Sequence, residues 1–325
     1  MAKIMVTGAT GLIGSRIAHQ LVDGGHDVVA LVRPTTDATA LERLGITIAP
    51  GDITDRTSVD AALRGCDGVI HSAAIVGVPN QQLDSSRAAN LGGTENVVDA
   101  ARAAGVPRTV CISTAAVFDR GDGPMTERSP VATQSTSDPY TVTKIEAYVA
   151  AKQRLDAGQD IVFVLPGATF GPSPMGERMI NIPGGNQRLA RALRSEPAVY
   201  PPMKAPWSYT GHVADVTIAA LERGTTGDNY IAYGALDCVA LIAEFVNRAC
   251  ELAGIEYRAG SVPVERLDDP EVVAMFGPTL VEVAKKPSPD PYFDASYTHA
   301  HLGITPRSLD ENLLSTLAWL RDGLV

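Results

Sequence analysis

Three things are missing from this sequence of 325 residues. It has no apolar run approaching the roughly 20 residues that a membrane-spanning helix requires, so no spanning helix is expected. It has no cluster of basic residues, and its formal net charge is −10. A nucleic-acid partner is therefore not expected, because phosphate backbones are gripped by basic surfaces. Its four cysteines, Cys66, Cys111, Cys238 and Cys250, stand in no metal-binding or redox spacing. They read as small hydrophobes in a protein kept reduced in the cytoplasm, with no metal implied. Only residues 1–3 precede the first strand pattern, so no signal peptide is expected. Internal repeats and low-complexity tracts are absent as well.

What is present is a 45% hydrophobic composition, enough to bury a sizeable core in one or two domains. The first half alternates two kinds of pattern. Short apolar runs at Ile4–Val6, Asp27–Val32, Thr47–Ala49, Gly68–His71, Thr109–Ser113 and Ile161–Leu165 read as strands. Helical patterns lie between them, around Ile13–Val22, Ala38–Leu44, Ser58–Leu63, Ser86–Ala104 and Tyr140–Leu155. Strands alternating with helices predict an α/β fold with a doubly wound parallel sheet, whose ligand crevice lies beyond the strand C-terminal ends. The polar stretch Asp119–Asp138 reads as a surface loop beside that crevice. From Pro172 onward proline and glycine recur, and a smaller, irregular lobe is expected, with a helix near Gln187–Ser195. Asn229–Ala232 is expected to return to the main sheet, and Leu236–Ala253 to be helical. Ser308-Leu-Asp-Glu311 fits a capping box opening a last helix over Leu309–Arg321.

Two local patterns carry chemistry. Thr7-Gly8-Ala9-Thr10-Gly11-Leu12-Ile13-Gly14 links the first strand to a helical pattern. Glycines let the backbone approach a pyrophosphate, and a helix N-terminus offers free N–H groups and positive potential. Tyr140 and Lys144 share one face of a helix, with Asp138 suited to the N-cap and Pro139 to the first helical position. A nearby cation and a positive helix end both lower a Tyr pKa, and a tuned phenol can give or take a proton.

These two segments together resemble the extended short-chain dehydrogenase/reductase superfamily, that is, the NAD-dependent epimerase/dehydratase family. Further pieces match in order. Gly51-Asp52-Ile53-Thr54-Asp55 looks like the adenine-side loop, and His71-Ser72-Ala73-Ala74 like the turn lying over the cofactor. Asn90-x-x-Gly93-Thr94-x-Asn96 looks like the central helix, and Ser113-Thr114-Ala115-Ala116-Val117-Phe118 like the segment with the catalytic hydroxyl. Pro166-Gly167-Ala168-Thr169-Phe170-Gly171-Pro172 looks like the loop at the nicotinamide. The resemblance covers essentially residues 3–172 and returns near the C-terminus. It implies a Rossmann domain over 1–171, completed by about 211–253, with 172–210 and 254–325 forming the substrate lobe and C-terminal helix. It implies cofactor contacts from Gly8, Thr10, Gly11, Leu12, Ile13, Asp52, Ile53, Ala73, Ala74, Pro166 and Ala168, and a homodimer joined through the helices around Ser86–Ala104 and Tyr140–Leu155. Tyr140 becomes the proton donor in reduction. Lys144 lowers its pKa and reaches the nicotinamide ribose, and Thr114 holds the substrate oxygen. Ser113 reads instead as a strand-end hydroxyl satisfying backbone groups. Asn90 becomes a structural brace, and His71 and His212 become structural histidines.

The cofactor follows from one position. Relatives that use NAD end the second strand with an acid that binds the ribose 2′-OH. Here that place holds Val32, followed by Arg33, which can pair with a 2′-phosphate. NADP(H) is therefore expected. Arg16 reads as an exposed helix charge, and Asp37 lies too far on for the ribose role.

Three readings of the function follow. The first is a carbonyl reductase close to the dihydroflavonol-reductase-like and 3β-hydroxysteroid-dehydrogenase-like branch, acting on a ketone or aldehyde. Phe170, Met175, Met179, Met203, Trp207 and Tyr209 would line its apolar pocket, where they do not simply pack the lobe. The second is a nucleotide-sugar epimerase or dehydratase. Against it, Val76, Leu165 and the stretch Pro206–Gly211 stand where such enzymes often place cations. Arg178, Arg188 and Arg191 would still serve a diphosphate. The third is a non-enzymatic NADP(H) sensor.

Overall fold

In the first strand, β1 (Lys3–Thr7), Ile4 and Val6 face one side and Met5 the other, and each side meets its own helices. The same period of two runs through β2 (Asp27–Val32), where Val28 and Ala30 share the face of Ile4 while Val29 and Leu31 share that of Met5. A strand apolar on both faces must be covered twice. One face packs on the helices Leu12–Asp23 and Thr210–Arg223 through Ile17, Leu21, Val213 and Val216. The other packs on Arg56–Ala62 and Gly93–Ala103 through Val59, Val97 and Ala100. This is the doubly wound arrangement that the alternating pattern predicts.

The remaining strands are β3 (Thr47–Pro50), β4 (Gly68–His71), β5 (Thr109–Ile112), β6 (Ile161–Leu165), β7 (Ala168–Phe170), β8 (Val199–Tyr200), β9 (Lys204–Tyr209), β10 (Asn229–Ile231), β11 (Val239–Leu241) and β12 (Gly260–Ser261). The computed structural model describes residues 1–76, 83–119, 123–133, 138–286, 290 and 292–324. Seven strands form one parallel sheet in the order β10-β6-β5-β4-β1-β2-β3. The order reverses between β1 and β4, and the ligand crevice of such a sheet opens at that switch point. A small sheet, β11-β9-β7, and the pair β12-β8 belong to the second lobe.

That lobe has its own core. Trp207 stacks on Phe245 at 3.7 Å between ring centroids, and Phe170 meets Phe245 edge-on at 4.9 Å. Phe170, Trp207 and Tyr209 are buried there, so they pack the lobe instead of lining a pocket. Within the expected return over 211–253, the helix Thr210–Arg223 and β10 pack with the main sheet, whereas the helix Ile242–Ala253 packs on the second core. Helix does not run through Leu236–Ala253 as the pattern suggests. Val239–Leu241 pairs with β9, and the Glu244 carboxylate accepts the Leu241 N–H at 3.0 Å, so the helix starts at Ile242. The last helix runs Leu309–Leu324 behind the expected box, with the Ser308 N–H donating to Glu311 at 2.8 Å.

The stretch 119–138 also departs from a plain surface loop. Residues 120–122 and 134–137 lie outside the described residues. In the part between them, Met125 and Glu127 are buried. The Met125 N–H donates to the Tyr292 carbonyl at 3.1 Å, and Thr298 donates to the Glu127 carboxylate. A buried backbone needs such partners, and here the chain near the C-terminus supplies them. Among the described residues no helix is long and apolar enough to cross a membrane.

Candidate active site

The Gly-rich turn is built by close approach. Gly8 has φ +70°, and a Cβ there would lie 2.7 Å from the Ala73 nitrogen. A Cβ on Gly14 would lie 2.2 Å from the Gly8 carbonyl oxygen. Only glycine lets the helix sit this tightly on the turn. The helix opens at Leu12, two residues before Gly14, with Gly11 at its N-cap and no side chain capping it. Its first N–H groups and positive end therefore fit an anion such as a pyrophosphate.

The turn faces the end of β4 across the switch point. The Ser72 N–H donates to the Thr7 carbonyl, and the Ala73 N–H to the Thr7 hydroxyl. His71 lies between two hydroxyls, Thr7 at 2.7 Å and Thr94 at 3.0 Å. Burial, helped by the nearby Lys144 charge, pushes its pKa down to about 3, so the ring is neutral and structural. Asn90 braces the site. Its side chain accepts the Ile75 N–H at 2.7 Å and donates to the Ile75 carbonyl and the Thr143 hydroxyl. Here the expected Ser86–Ala104 helix takes a π turn over Ala88–Gly92 between Leu83–Arg87 and Gly93–Ala103. Gly93 lets the helix pack closely on Ile53, whose side-chain methyl would lie 2.6 Å from a Cβ there and whose carbonyl is held by Asn96.

A cavity of about 540 Å³ opens above this junction. Eight expected cofactor residues line it: Gly8, Thr10 and Gly11 from the turn, Arg33, Asp52 and Ile53 beyond β2 and β3, and Ala73 and Ala74 beyond β4. Leu12, Ile13, Tyr140, Lys144, Pro166 and Ala168, also expected at the cofactor, are not in its lining. Leu12 and Ile13 open the helix beside it. Pro166 accepts the Ala115 N–H, and Ala168 lies in β7 against the second core. Met179, expected at an apolar pocket, does line the cavity, together with Thr36 and Ile182, which no sequence pattern singled out. Arg178 lines it too, without belonging to any motif. Arg16 is not an exposed charge: it is half-buried, and its field acts on Asp215 in the helix Thr210–Arg223.

Thr114, Tyr140 and Lys144 gather at the end of β5, two strands from β1. Asp138 caps the helix Pro139–Asp156, accepting the Thr141 N–H at 2.9 Å, and Pro139 takes the first helical position. Tyr140 and Thr114 share a side-chain hydrogen bond. Lys144 is buried and donates to the Ile112 carbonyl at 2.8 Å, with its pKa lowered by burial to about 8. The Tyr140 phenol does not have the lowered pKa that its neighbours suggest. Burial pushes it up to about 12 against the opposing hydrogen bond from Thr114, because leaving water costs the phenolate more than the site returns. Ser113, too, differs from expectation: its buried Oγ has no partner among the described residues.

An uncapped helix end under a glycine turn, with a tyrosine one helical turn from a buried lysine at a strand end two strands away, is the arrangement of a dinucleotide-binding oxidoreductase. The sequence fits the model of the NAD dependent epimerase/dehydratase family over residues 4–233, and the chain belongs to that family, within the extended short-chain dehydrogenase/reductases. It is 27% identical to a putative dihydroflavonol 4-reductase of Synechocystis sp., over 98% of this chain and 94% of the relative. It is 26% identical to sterol demethylase protein B of Methylococcus capsulatus, over 98% of each. The solved structure of gox2253 superimposes with a TM-score of 0.85 at 25% identity, covering 99% of this chain and 98% of that one.

Acid should loosen this fold. Burial, with the charge of His299 adding to it, lowers the His212 pKa to about 4, and His71 is lower still. Both values lie below the ordinary 6.5, so below pH 6.5 the unfolded chain binds more protons than the native one. Their stabilising contribution is present above 6.5 and is lost as the pH falls toward those values. The urea midpoint should drop between about pH 7 and pH 5, and His212→Phe should flatten that slope. An unchanged slope in the variant would remove His212 from the account.

Proposed function

We propose that the protein is an NADPH-dependent reductase of a ketone or aldehyde. The observation that carries this reading is the gathering of Tyr140, Thr114 and the buried Lys144 at the end of β5. With its pKa pushed up to about 12, Tyr140 keeps its proton at neutral pH and suits the role of acid better than that of base. Thr114, hydrogen-bonded to it, is half-buried and suited to hold the same carbonyl oxygen. Lys144 stays largely protonated at neutral pH and keeps a positive charge behind the site. A bound nicotinamide would supply the hydride to the carbonyl carbon, while the Tyr140 proton passes to the oxygen.

The preference for NADP(H) rests on the adenosine end of the cavity. Val32 stands where a ribose-binding acid would be, and Arg33 follows it. The carboxylates nearby are already engaged. Asp37 accepts from Thr39 at 2.9 Å, and Asp52 from Thr54 at 2.9 Å. The name of the Synechocystis relative, a putative dihydroflavonol 4-reductase, supports the reductase reading but carries no word on the cofactor.

One observation favours the nucleotide-sugar reading instead. Arg188 is half-buried in the second lobe, lies 5.8 Å from the Tyr200 ring, and forms no ion pair among the described residues. A single assay separates the two: NADPH absorbance is followed with a panel of aldehydes and ketones, and UDP-sugars are tested for epimer formation. NADPH consumption with carbonyls is expected. Epimer formation without cofactor turnover would replace this reading with the second.

A further inference from the structure

We propose that Arg178, carried by the second lobe, forms with Arg33 a two-armed clamp for the 2′-phosphate of NADP(H), so that the cofactor ties the two lobes together. The proposal rests on the NADP(H) reading above. Arg33 comes from the loop after β2, whereas Arg178 comes from the short helix Glu177–Ile180, and both line the same cavity. Both are exposed, and neither makes an ion pair among the described residues. With both guanidiniums free of such pairs, a dianionic group between them can take charged hydrogen bonds from each.

The position of Arg178 follows from how its segment is anchored. Ser173 and Ser15 share a buried hydrogen bond of 2.8 Å, which fixes the start of the second lobe to the helix beneath the glycine turn. Met175 packs against the cluster that Ile13 and Ala38 also join. Met179 and Ile182 then reach the cavity. The segment therefore lies over the loop that follows β2, where an adenosine 2′ position falls when the pyrophosphate sits on the Gly11 helix end. The state of Asp37 agrees. Its carboxyl is held below the usual range first by the Thr39 N–H and hydroxyl, and also by the Arg178 and Arg43 charges. Arg178 is thus close to the loop that bears Arg33, and the hydrogen-bonding oxygen of Asp37 is directed to Thr39.

The clamp can be tested without turnover. Binding of NADPH and NADH to the full chain is measured by calorimetry for the wild type, Arg33→Gln, Arg178→Gln and Arg178→Lys. Loss of one charged hydrogen-bonding arm should weaken NADPH by about 10–100-fold and leave NADH within about twofold. Arg178→Lys should recover part of the loss, since it keeps the charge but not the planar fork. Both positions are exposed, so the urea midpoint should stay at the wild-type value. Equal losses for NADPH and NADH in Arg178→Gln would assign Arg178 to the pyrophosphate or the adenine and overturn the clamp. No loss for either would overturn it as well. A wild type that binds NADH as tightly as NADPH would remove the NADP(H) reading itself. A wild-type preference lost in Arg33→Gln but kept in Arg178→Gln would sink only the second arm.

Discussion

Tyr140→Phe is expected to lower kcat for carbonyl reduction by about 10²–10⁴-fold, the usual share of a positioned proton transfer. Cofactor Kd and the urea midpoint should change little. The expectation follows from what the hydroxyl does. Its hydrogen bond with Thr114 places it at the end of β5, one helical turn from the buried Lys144. Phe keeps the ring and its packing but has no proton to give. The direction of catalysis should also be visible. A phenol held at about 12 is an acid across the neutral range, so reduction should hold its rate there, and oxidation should rise with pH as the phenolate becomes accessible. Near-normal kcat in Tyr140→Phe would falsify the proton-donor assignment. A large loss of cofactor affinity would instead make the residue a binding group.

Gly14→Ala is expected to cost about 3 kcal/mol of stability, at the upper end of what overpacking costs, and to abolish nucleotide binding. The added methyl would lie 2.2 Å from the Gly8 oxygen and 2.6 Å from the Gly8 carbonyl carbon. Both contacts are backbone, so no side chain can swing aside. Either the helix Leu12–Asp23 lifts off the turn or the turn deforms, and either change moves the N–H groups that fit a pyrophosphate. Gly11→Ala provides the control. Its methyl would meet the Gly8 oxygen at 3.2 Å, a contact relieved by a shift of a few tenths of an ångström. Chemical denaturation should therefore rank Gly14→Ala far below Gly11→Ala. Equal midpoints for the two variants would refute the close-approach account of Gly14.

Much of the fold was legible because its signals are local. The strand at Asp27–Val32 and that at Gly68–His71 fall where the apolar runs lie, and the Asp138 cap and Ser308 box act within one turn of chain. The helix expected over Leu236–Ala253 failed because pairing with β9 outweighed local propensity at Val239–Leu241. The aromatic residues of the second lobe were ambiguous for a related reason. Whether Trp207 lines a pocket or stacks on Phe245 depends on a partner 38 positions further along the chain.

The site divides the same way. By itself, the sequence determined that a glycine turn precedes a helix, that Tyr140 and Lys144 share a helix face, and that β2 ends without an acid. Each of these follows from the order of neighbouring residues and the periods of helix and strand. Only the tertiary structure decided the rest. It brought Arg178 from the second lobe to the cavity of Arg33, set His71 between Thr7 and Thr94, and raised the Tyr140 pKa when its neighbours in sequence implied the reverse. The reason is that desolvation and charge pairing depend on distance through space, and segments far apart in the chain set that distance.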